Sequence, residues 1–385
     1  MNESVYLDYN STTPIKPEVV DAMMPYLQDL WANPSSAHTF GNKIRRSIDR
    51  AREQVADLIG ANEPSEIIFT SGATESNNMV IRSVLSDLKG SKKLVTTKTE
   101  HAAIIGPAQY IENNGASVHW LSVDKNGLPD LKEYDELVNQ PLSLISIIWA
   151  NNETGVINPI PTLSKVAADK GIIFHTDAVQ MVGKCKIDLK NLSVDMLSLS
   201  GHKVYGPKGI GALYVRKGTR IPAQILGGHQ ERTRRAGTEN VPAIIGFGKA
   251  CELANKSIET NYSRITKLRQ KLETGVLSTC KGSFLNGSEV DRLPNTSNIS
   301  FEKLDGEAIL FMLDDHDIHV STGSACESGS LEASHVLKAM NVGSNHIHGA
   351  IRFSLGEQTT EKDIDKLIEV LPPIINRCRE LAPNI

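Results

Sequence analysis

The sequence predicts an α/β protein with a mostly parallel seven-stranded sheet flanked by helices, followed by a smaller α+β domain. From about residue 40 to residue 217, short β-rich runs alternate with amphipathic stretches, as in a sheet whose strands are joined by helices. A helical pattern then continues for roughly forty residues past Val241. Three further strand candidates, separated by helices, follow it.

The larger part of the chain contains seven runs that combine β-branched and other apolar residues between turn signals. These strand candidates are residues 66–70, 93–97, 117–123, 142–150, 171–176, 196–200 and 211–216. Between the first two, apolar residues recur with helical spacing and predict a βαβ crossover. Those residues are Val80, Ile81, Val84, Leu85 and Leu88.

The remainder of the chain begins with a predicted connecting helix system. Its apolar residues are spaced three or four apart, as in Ile244, Phe247 and Ala250 and again in Ile265 and Leu268. Strand candidates then lie at 297–301, 318–321 and 351–355, with helices around 307–313, 331–340 and 361–378. We read these as the smaller α+β domain.

Composition argues against several classes of partner. The chain has 385 residues, with 41 Lys plus Arg against 45 Asp plus Glu, and its net charge of −4 provides no global attraction for nucleic acid or anionic lipid. The amino terminus has no basic region followed by an apolar region, and residues 144–150 are far short of the ~18 apolar residues of a membrane span. We expect a cytoplasmic protein with no nucleic-acid or membrane partner.

The common motifs that define a mechanism are missing. No P-loop, HExxH, GxSxG or strand-linked GxGxxG motif occurs, and the five cysteines contain no CxxC pair. Polar residues instead follow the predicted strands, where open α/β sheets form their ligand crevice. After the first strand, residues 71–74 (SGAT) would suit a phosphate at a helix N-terminus, although an ordinary helix cap is the commoner explanation for such a segment alone.

Two more sites follow later strands. Glu100 and His101 come after the second strand, where an imidazole could stack on a flat cofactor or exchange protons; a loop histidine without a function is the alternative. Asp177 and Gln180 follow an apolar strand, and a buried carboxylate there needs a partner. A cationic ring nitrogen would provide one, and so would a salt bridge or a helix cap.

The fourth site is the turn after residues 196–200, which carries two lysines, Lys203 and Lys208. Burial lowers the pKa of an amine and makes it a usable nucleophile. A glycine-rich hairpin with solvated lysines is the alternative, and the chemistry alone does not choose between the two. A lysine, an acid and phosphate donors at successive strand ends are what pyridoxal 5′-phosphate (PLP) requires, so the four sites together predict PLP.

Nine short motifs follow one another along the chain: YLD at 6–8, NPSS at 33–36, TSGATES at 70–76, NNETG at 151–155, HTDAVQ at 175–180, SGHK at 200–203, RAGTEN at 235–240, GSAC at 323–326 and IRFSL at 351–355. In this order they resemble the cysteine desulfurases of NifS/IscS type, in the class V aminotransferase-like branch of fold-type I PLP enzymes. WANNETG at 149–155 and RAGTEN at 235–240 look closer to the nitrogen-fixation (NifS) type than to the housekeeping type. The resemblance implies a large PLP-binding domain, residues 13–262, and a small domain, residues 1–12 and 263–385.

The resemblance also implies roles around the cofactor. Lys203 would bind PLP covalently and then transfer protons, Asp177 would keep the pyridine nitrogen protonated, and His101 would stack on the ring. Gln180 would bind the phenolic oxygen. The residues expected to hold the phosphate are Ala73, Thr74, Ser200, His202 and, from a partner subunit, Thr238. The last assignment implies a homodimer.

The remaining implied roles concern the substrate, L-cysteine. Asn152, beside the cofactor, and Arg352 would orient its carboxylate, which suits the planar fork of an arginine. Cys326 would attack the substrate sulfur, leaving a persulfide and alanine, and would pass the sulfur to an iron–sulfur scaffold or another acceptor protein. No intrinsic metal site is expected, although the Cys326 persulfide could ligate an iron–sulfur cluster transiently. Glu327 follows directly, and a neighbouring carboxylate disfavours the thiolate and predicts slower attack.

Three other functions compete with this interpretation. A selenocysteine lyase or an aminotransferase of the same branch would also use Lys203, Asp177 and His101, but the aminotransferase would not need Cys326. For a single loop cysteine an inert surface thiol is the usual expectation, and the PLP residues are what favour catalysis. A non-catalytic iron–sulfur assembly scaffold is the third alternative.

Overall fold

A computed structural model describes residues 4–86, 91–322 and 333–381. Its strands are β1 (Val5–Tyr6), β2 (Ile67–Thr70), β3 (Lys93–Thr97), β4 (Ser117–Leu121), β5 (Leu144–Ser146), β6 (Ile173–Asp177), β7 (Met196–Ser200), β8 (Gly211–Val215), β9 (Ser283–Leu285), β10 (Thr296–Phe301), β11 (Ile318–His319) and β12 (Ala350–Ser354). Its α-helices are α1 (Pro17–Gln28), α2 (Thr39–Ile59), α3 (Ala73–Arg82), α4 (Ala102–Asn113), α5 (Leu131–Leu137), α6 (Ile160–Asp169), α7 (Val241–Thr279), α8 (Gly306–Asp314), α9 (His335–Ala339), α10 (Ser344–Ile347) and α11 (Glu361–Leu381).

The central sheet has seven strands in the order β2-β8-β7-β6-β5-β3-β4. Only β8 runs antiparallel to its neighbours, and the other six strands share one direction. Strands β2, β5, β7 and β8 are buried along their whole length, as expected for a sheet covered on both faces. The predicted mostly parallel seven-stranded sheet is confirmed.

The predicted βαβ crossover from β2 to β3 does not connect neighbouring strands of the sheet. The two strands point the same way, but β8, β7, β6 and β5 lie between them in the sheet. Helix α3 ends at Arg82, earlier than the apolar spacing suggested, and a 3-10 turn at Ser83–Ser86 follows. Leu88, the last residue of that predicted helix, lies outside the described residues.

Two predicted strands are much shorter in the structure than the sequence indicated, whereas the other predicted strands differ by at most two residues at either end. The run 142–150 forms a strand only at Leu144–Ser146. The residues that follow still hydrogen-bond to β6. The Ile147 N–H donates to the His175 carbonyl oxygen at 3.1 Å, and the Trp149 N–H donates to the Asp177 carbonyl oxygen at 2.9 Å. The run 318–321 is a strand only at Ile318–His319, where it pairs with β1 and so brings the amino terminus to the smaller part of the chain.

The smaller part contains an antiparallel sheet, β12-β10-β9, as the predicted α+β arrangement requires. Its apolar core joins that sheet to α7, α8 and α11, with Phe301, Phe353 and Leu371 fully buried. The boundary at 262/263 stays a prediction, because α7 runs unbroken across it and contributes residues to both large cores. Helix α9 is shorter than the predicted 331–340, whose first two residues are outside the described ranges. Within those ranges, no helix combines the length and apolarity needed to cross a bilayer.

Candidate active site

A cavity of about 620 Å³ opens where the sheet strands end and the chain turns into helices. Most of the residues predicted from the sequence line this one cavity. They are Ala73, Thr74, His101, Asn152, Asp177, Gln180, Ser200, His202, Lys203 and Arg352. Thr238 is exposed and does not line the cavity, and Cys326 lies outside the described residues.

Asp177, the last residue of β6, is 4% exposed and provides the carboxylate of the cavity. Asn77 Nδ2 on α3 donates to its Oδ2 at 2.7 Å, and the backbone N–H of Val179 donates to its Oδ1 at 3.0 Å. Both oxygens are therefore oriented by neutral donors. A positive group in the cavity would complete the environment of this buried charge.

The N-terminus of α3 forms a second wall. This ten-residue helix begins after Gly72, and no side chain caps its first N–H groups, so they remain available to an anion. The approach of β8 requires glycine at position 211, because a Cβ there would lie 2.8 Å from the Gly72 Cα and 2.6 Å from the Leu199 carbonyl oxygen. Ser200 lines the cavity at the end of β7.

Lys203 ends a 3-10 turn, Gly201–Lys203, directly after β7. Its Nζ donates to the carbonyl oxygens of Ser11, at 2.7 Å, and Asn10. Lys208 lines the same cavity but is exposed, whereas Lys203 is half-buried. The two lysines, which residue type alone did not separate, thus differ in burial and in hydrogen bonding.

Two histidines line the cavity, and burial lowers the pKa of each. His101 is the N-cap of α4, and its Nδ1 accepts from the Ala103 N–H at 3.1 Å, so the neutral ring carries its proton on Nε2. Burial lowers its pKa despite the opposing charge of Asp177. Burial lowers the pKa of His202 to about 4, and the positive charges of neighbouring lysines, above all Lys203, add to this shift. Both rings are therefore neutral at pH 7.

Arg352, on β12, brings the guanidinium of the smaller part into the cavity. Its Nη2 donates to Asp8 Oδ1 at 2.7 Å and to Ser11 Oγ at 2.8 Å, and its Nη1 donates to the Asn152 carbonyl oxygen at 3.1 Å. The side chain is almost fully buried, and its Nε has no hydrogen-bond partner among the described residues. These bonds use three of the five guanidinium N–H donors, so one on Nη1 and the one on Nε remain for a bound anion.

The comparisons with known proteins agree with one another. The family model Aminotransferase class-V matches residues 5–367. The chain is 48% identical to the cysteine desulfurase NifS of Azotobacter vinelandii, covering 98% of this chain and 94% of the relative. It is 49% identical to the cysteine desulfurase IscS of Dictyoglomus turgidum, covering 100% and 97%.

This chain belongs to the class-V aminotransferase family. The predicted resemblance to the NifS/IscS proteins is confirmed. A solved NifS-like protein superposes with a TM-score of 0.91 at 36% identity, covering 97% of this chain and 100% of the other. A structure described as SspA in complex with cysteine superposes with a TM-score of 0.80, also at 36% identity, covering 91% and 99%.

Several residues that shape this site of the class-V aminotransferase family member were not predicted from the sequence. Asn10, Ser11 and Thr12 line the cavity although they precede the sheet in the chain, and only their polar run hinted at a turn. Asn77 carried no signal, because its helix position looks like any polar surface residue. The other described cysteines, Cys185, Cys251, Cys280 and Cys378, are all buried.

Residues on both sides of the Cys326 segment are attached to the cavity wall. Ser321 and Arg352 exchange backbone hydrogen bonds, with Arg352 N to Ser321 O at 2.6 Å. On the other side, Ser334 Oγ donates to the buried Glu153 at 2.6 Å, and His335 Nε2 donates to the Glu100 carbonyl oxygen at 2.9 Å. The described residues before this segment are thus held beside Arg352, and those after it beside Glu100 and Glu153.

Glu100 is a buried carboxyl group behind the cavity. Its Oε1 accepts from Thr97 Oγ1 at 2.8 Å and from the Ile148 N–H at 2.9 Å, while its Oε2 is buried without a hydrogen-bond partner in the described part of the chain. Burial raises its pKa to about 8, and the charge of Asp177 adds to this. Glu100 is therefore mostly protonated at pH 7.

We expect Glu100→Gln to change how stability depends on pH. The folded-state pKa of about 8 is above the ordinary value of 4.5, so the folded chain binds the extra proton, and its stability falls as pH rises from about 4.5 to about 8. Glutamine does not ionise. The free energy of unfolding of the variant relative to wild type should therefore increase between pH 5 and pH 8 by on the order of 3 kcal/mol.

Urea unfolding at the two pH values measures this difference. Glu112→Gln, which changes an exposed glutamate on α4, is the control and should give the same difference at both pH values. A pH-independent difference for Glu100→Gln would show that Glu100 is ionised in the folded protein.

Proposed function

We propose that this protein is a PLP-dependent cysteine desulfurase that converts L-cysteine to L-alanine and transfers the sulfur to Cys326. The observation that carries the proposal is the convergence of Lys203, Asp177, His101 and Arg352 on one cavity. Relatives whose sequences are 48–50% identical to this chain over nearly its whole length are named cysteine desulfurases. The sulfur would supply iron–sulfur cluster assembly.

The described residues fit PLP. Asp177 provides a carboxylate for the pyridine nitrogen, and the uncapped N-terminus of α3 provides N–H donors for the phosphate. Ser200 and the neutral His202 would add donors beside it. His202 Nδ1 lies 3.2 Å from Thr12 Oγ1 and can accept that hydroxyl proton, which leaves an N–H on Nε2. Lys203 would form the covalent link to the aldehyde.

When bound, PLP supplies an electron sink that stabilises negative charge at the substrate Cα. Asp177 would hold the proton on the ring nitrogen, and the neutral His101 would cover the ring. Arg352 and Asn152 would bind the substrate carboxylate, and that places the Cα proton within reach of Lys203. Lys203, free of its link once substrate is bound, would move that proton.

Cys326 would carry out the sulfur transfer. Its thiolate attacks the substrate sulfur, so that the new S–S bond forms while the Cβ–S bond breaks. The electron pair of the broken bond stays with the carbon, which takes up a proton and becomes the methyl group of alanine. The sulfur remains on Cys326 as a persulfide for the acceptor protein, an iron–sulfur scaffold or another sulfur carrier.

We also propose a cytoplasmic homodimer in which Thr238 completes the phosphate site of the partner subunit. Thr238 is exposed and outside the cavity of its own chain, as such an exchange requires. Its segment is held next to the cavity, because Arg235 Nε donates to Glu75 Oε1 at 2.9 Å. Leu226, in the same connection, is 83% exposed and would be covered by a second copy.

A product assay tests the function. The purified protein, reconstituted with PLP and given L-cysteine and a reductant, should release alanine and sulfide in equal amounts. Pyruvate and ammonia instead of alanine would indicate a lyase. Turnover of selenocysteine but not of cysteine would indicate a selenocysteine lyase, and a protein that binds no PLP would support the scaffold alternative.

Arg352→Lys should weaken substrate binding. A lysine cannot reproduce the two-pronged contact with a carboxylate, so KM for L-cysteine should rise roughly tenfold or more. The absorption spectrum of bound PLP should be unchanged. Arg264→Lys is the matched control, because that half-buried arginine binds the carbonyls of Glu357 and Thr359 away from the cavity. An unchanged KM for Arg352→Lys would remove Arg352 from the substrate site.

A further inference from the structure

The side-chain amide of Gln180 is held at both ends. Its Oε1 accepts from Lys184 Nζ at 2.5 Å, and its Nε2 donates to the Asn10 carbonyl oxygen at 3.0 Å. Gln180 is buried and lines the cavity, whereas Lys184 lies behind it and does not line the cavity. The amide therefore connects a lysine outside the site to a carbonyl inside it.

The Asn10 carbonyl fixes where the amide N–H lies. The same carbonyl oxygen accepts from Lys203 Nζ, so the Gln180 donor and the Lys203 amine meet at one atom. In PLP the phenolic oxygen is on the ring carbon next to the one that bears the aldehyde. A cofactor linked to Lys203 would therefore present its phenolic oxygen close to the Gln180 donor.

We propose that Lys184 is a positioning residue that orients the amide of Gln180 so that its N–H, and not its carbonyl oxygen, faces the phenolic oxygen of PLP. In its protonated form Lys184 only donates hydrogen bonds, so it selects the amide oxygen as its own partner and leaves the amide nitrogen to the cavity. The reversed amide would direct an oxygen at an electron-rich oxygen. This inference rests on the proposed function for the presence of PLP.

The surroundings of Lys184 make a simple packing role a poor explanation. It lines a second, small cavity of about 30 Å³, whose titratable residues include Tyr9, Tyr205, Tyr262 and Glu357. Burial lowers the pKa of Lys184 to about 7, and the positive charges of Lys203 and Arg352 contribute to this shift. An apolar side chain would fill this place at lower cost, so the amine is present for its hydrogen bond.

The test compares Lys184→Met with wild type by titrating the visible absorption band of bound PLP against pH. A hydrogen bond donated to the phenolic oxygen stabilises its anionic form, so losing the oriented donor should raise the midpoint by about one pH unit. The affinity of the cofactor-free protein for PLP should fall as well. Thermal stability should not fall, because methionine removes the burial of a charge.

A double-variant experiment separates orientation from a direct charge effect. If Lys184 acts through Gln180, Lys184→Met should cause no further shift in a Gln180→Ala background. The same shift in both backgrounds would overturn the inference, and so would an unchanged midpoint in Lys184→Met alone. Lys186→Met removes an exposed lysine two residues away and should leave the midpoint where it is.

Two further outcomes keep the inference distinct from the proposed function. Should Lys184→Met not fold, Lys184→Gln, whose amide accepts as well as donates, should give a smaller shift in the same direction, and no shift would overturn the inference. A wild-type protein without a visible PLP band would refute the proposed function and this inference together. A yellow wild type with an unaltered Lys184→Met would refute only the inference.

Discussion

Lys203→Ala should remove the covalent attachment of PLP and lower alanine production by roughly 10³-fold or more, because in the proposed mechanism Lys203 forms the link to the aldehyde and moves the Cα proton. Borohydride reduction followed by digestion and mass spectrometry measures the attachment. In wild type the reduced cofactor should appear on the peptide that contains Lys203. In the variant it should appear on no peptide.

Lys208→Ala is the matched control, because Lys208 lines the same cavity from the same turn but is exposed. It should keep the covalent cofactor and most of the activity. Reduced cofactor on Lys208 in the wild type, or its persistence in Lys203→Ala, would show that the wrong lysine was assigned.

Cys326→Ala should abolish sulfide and alanine production from L-cysteine while PLP binding stays close to that of wild type. In the proposed mechanism the thiol acts only after substrate has displaced Lys203, so cofactor attachment should not depend on it. Given L-cysteine without reductant, the wild type should carry one additional sulfur on the peptide containing Cys326. Alkylation and mass spectrometry detect it.

Ser328→Ala, in the same run of small polar residues, is the control and should retain the persulfide. An enzyme that produces alanine while Cys326 stays unmodified would refute the persulfide route. The sulfur would then leave the substrate by direct elimination, as in a lyase.

Much of the fold could be predicted because its signals are local. Strands β3 and β7 were predicted at their observed residues, and the helical spacing after Val241 predicted α7. The order of strands could not be predicted in the same way. Residue patterns show that β2 and β3 are strands with a helix between them, but only long-range pairing places β8 and three other strands between the two.

The candidate site, like the fold, could be predicted from the sequence only in part. Residues at or just after the end of a strand, such as Asp177 and Lys203, could be identified because parallel strands bring their carboxyl ends to one edge of the sheet. Residues that reach the site from elsewhere could not. Asp8, which pairs with Arg352, and Asn77, which orients Asp177, are brought to the cavity by contacts between distant parts of the chain.

The sequence by itself determined the chemical groups of this protein: a lysine, an acid, a histidine and an arginine in motifs that predict PLP and a cysteine desulfurase. The SGHK motif pointed to Lys203 and not to Lys208, but only the tertiary structure showed the partners of its amine, the carbonyl oxygens of Asn10 and Ser11. It also decided the orientation of the Gln180 amide. Side-chain direction depends on hydrogen-bond partners far away in the chain, and residue types and local spacing contain no information about those partners.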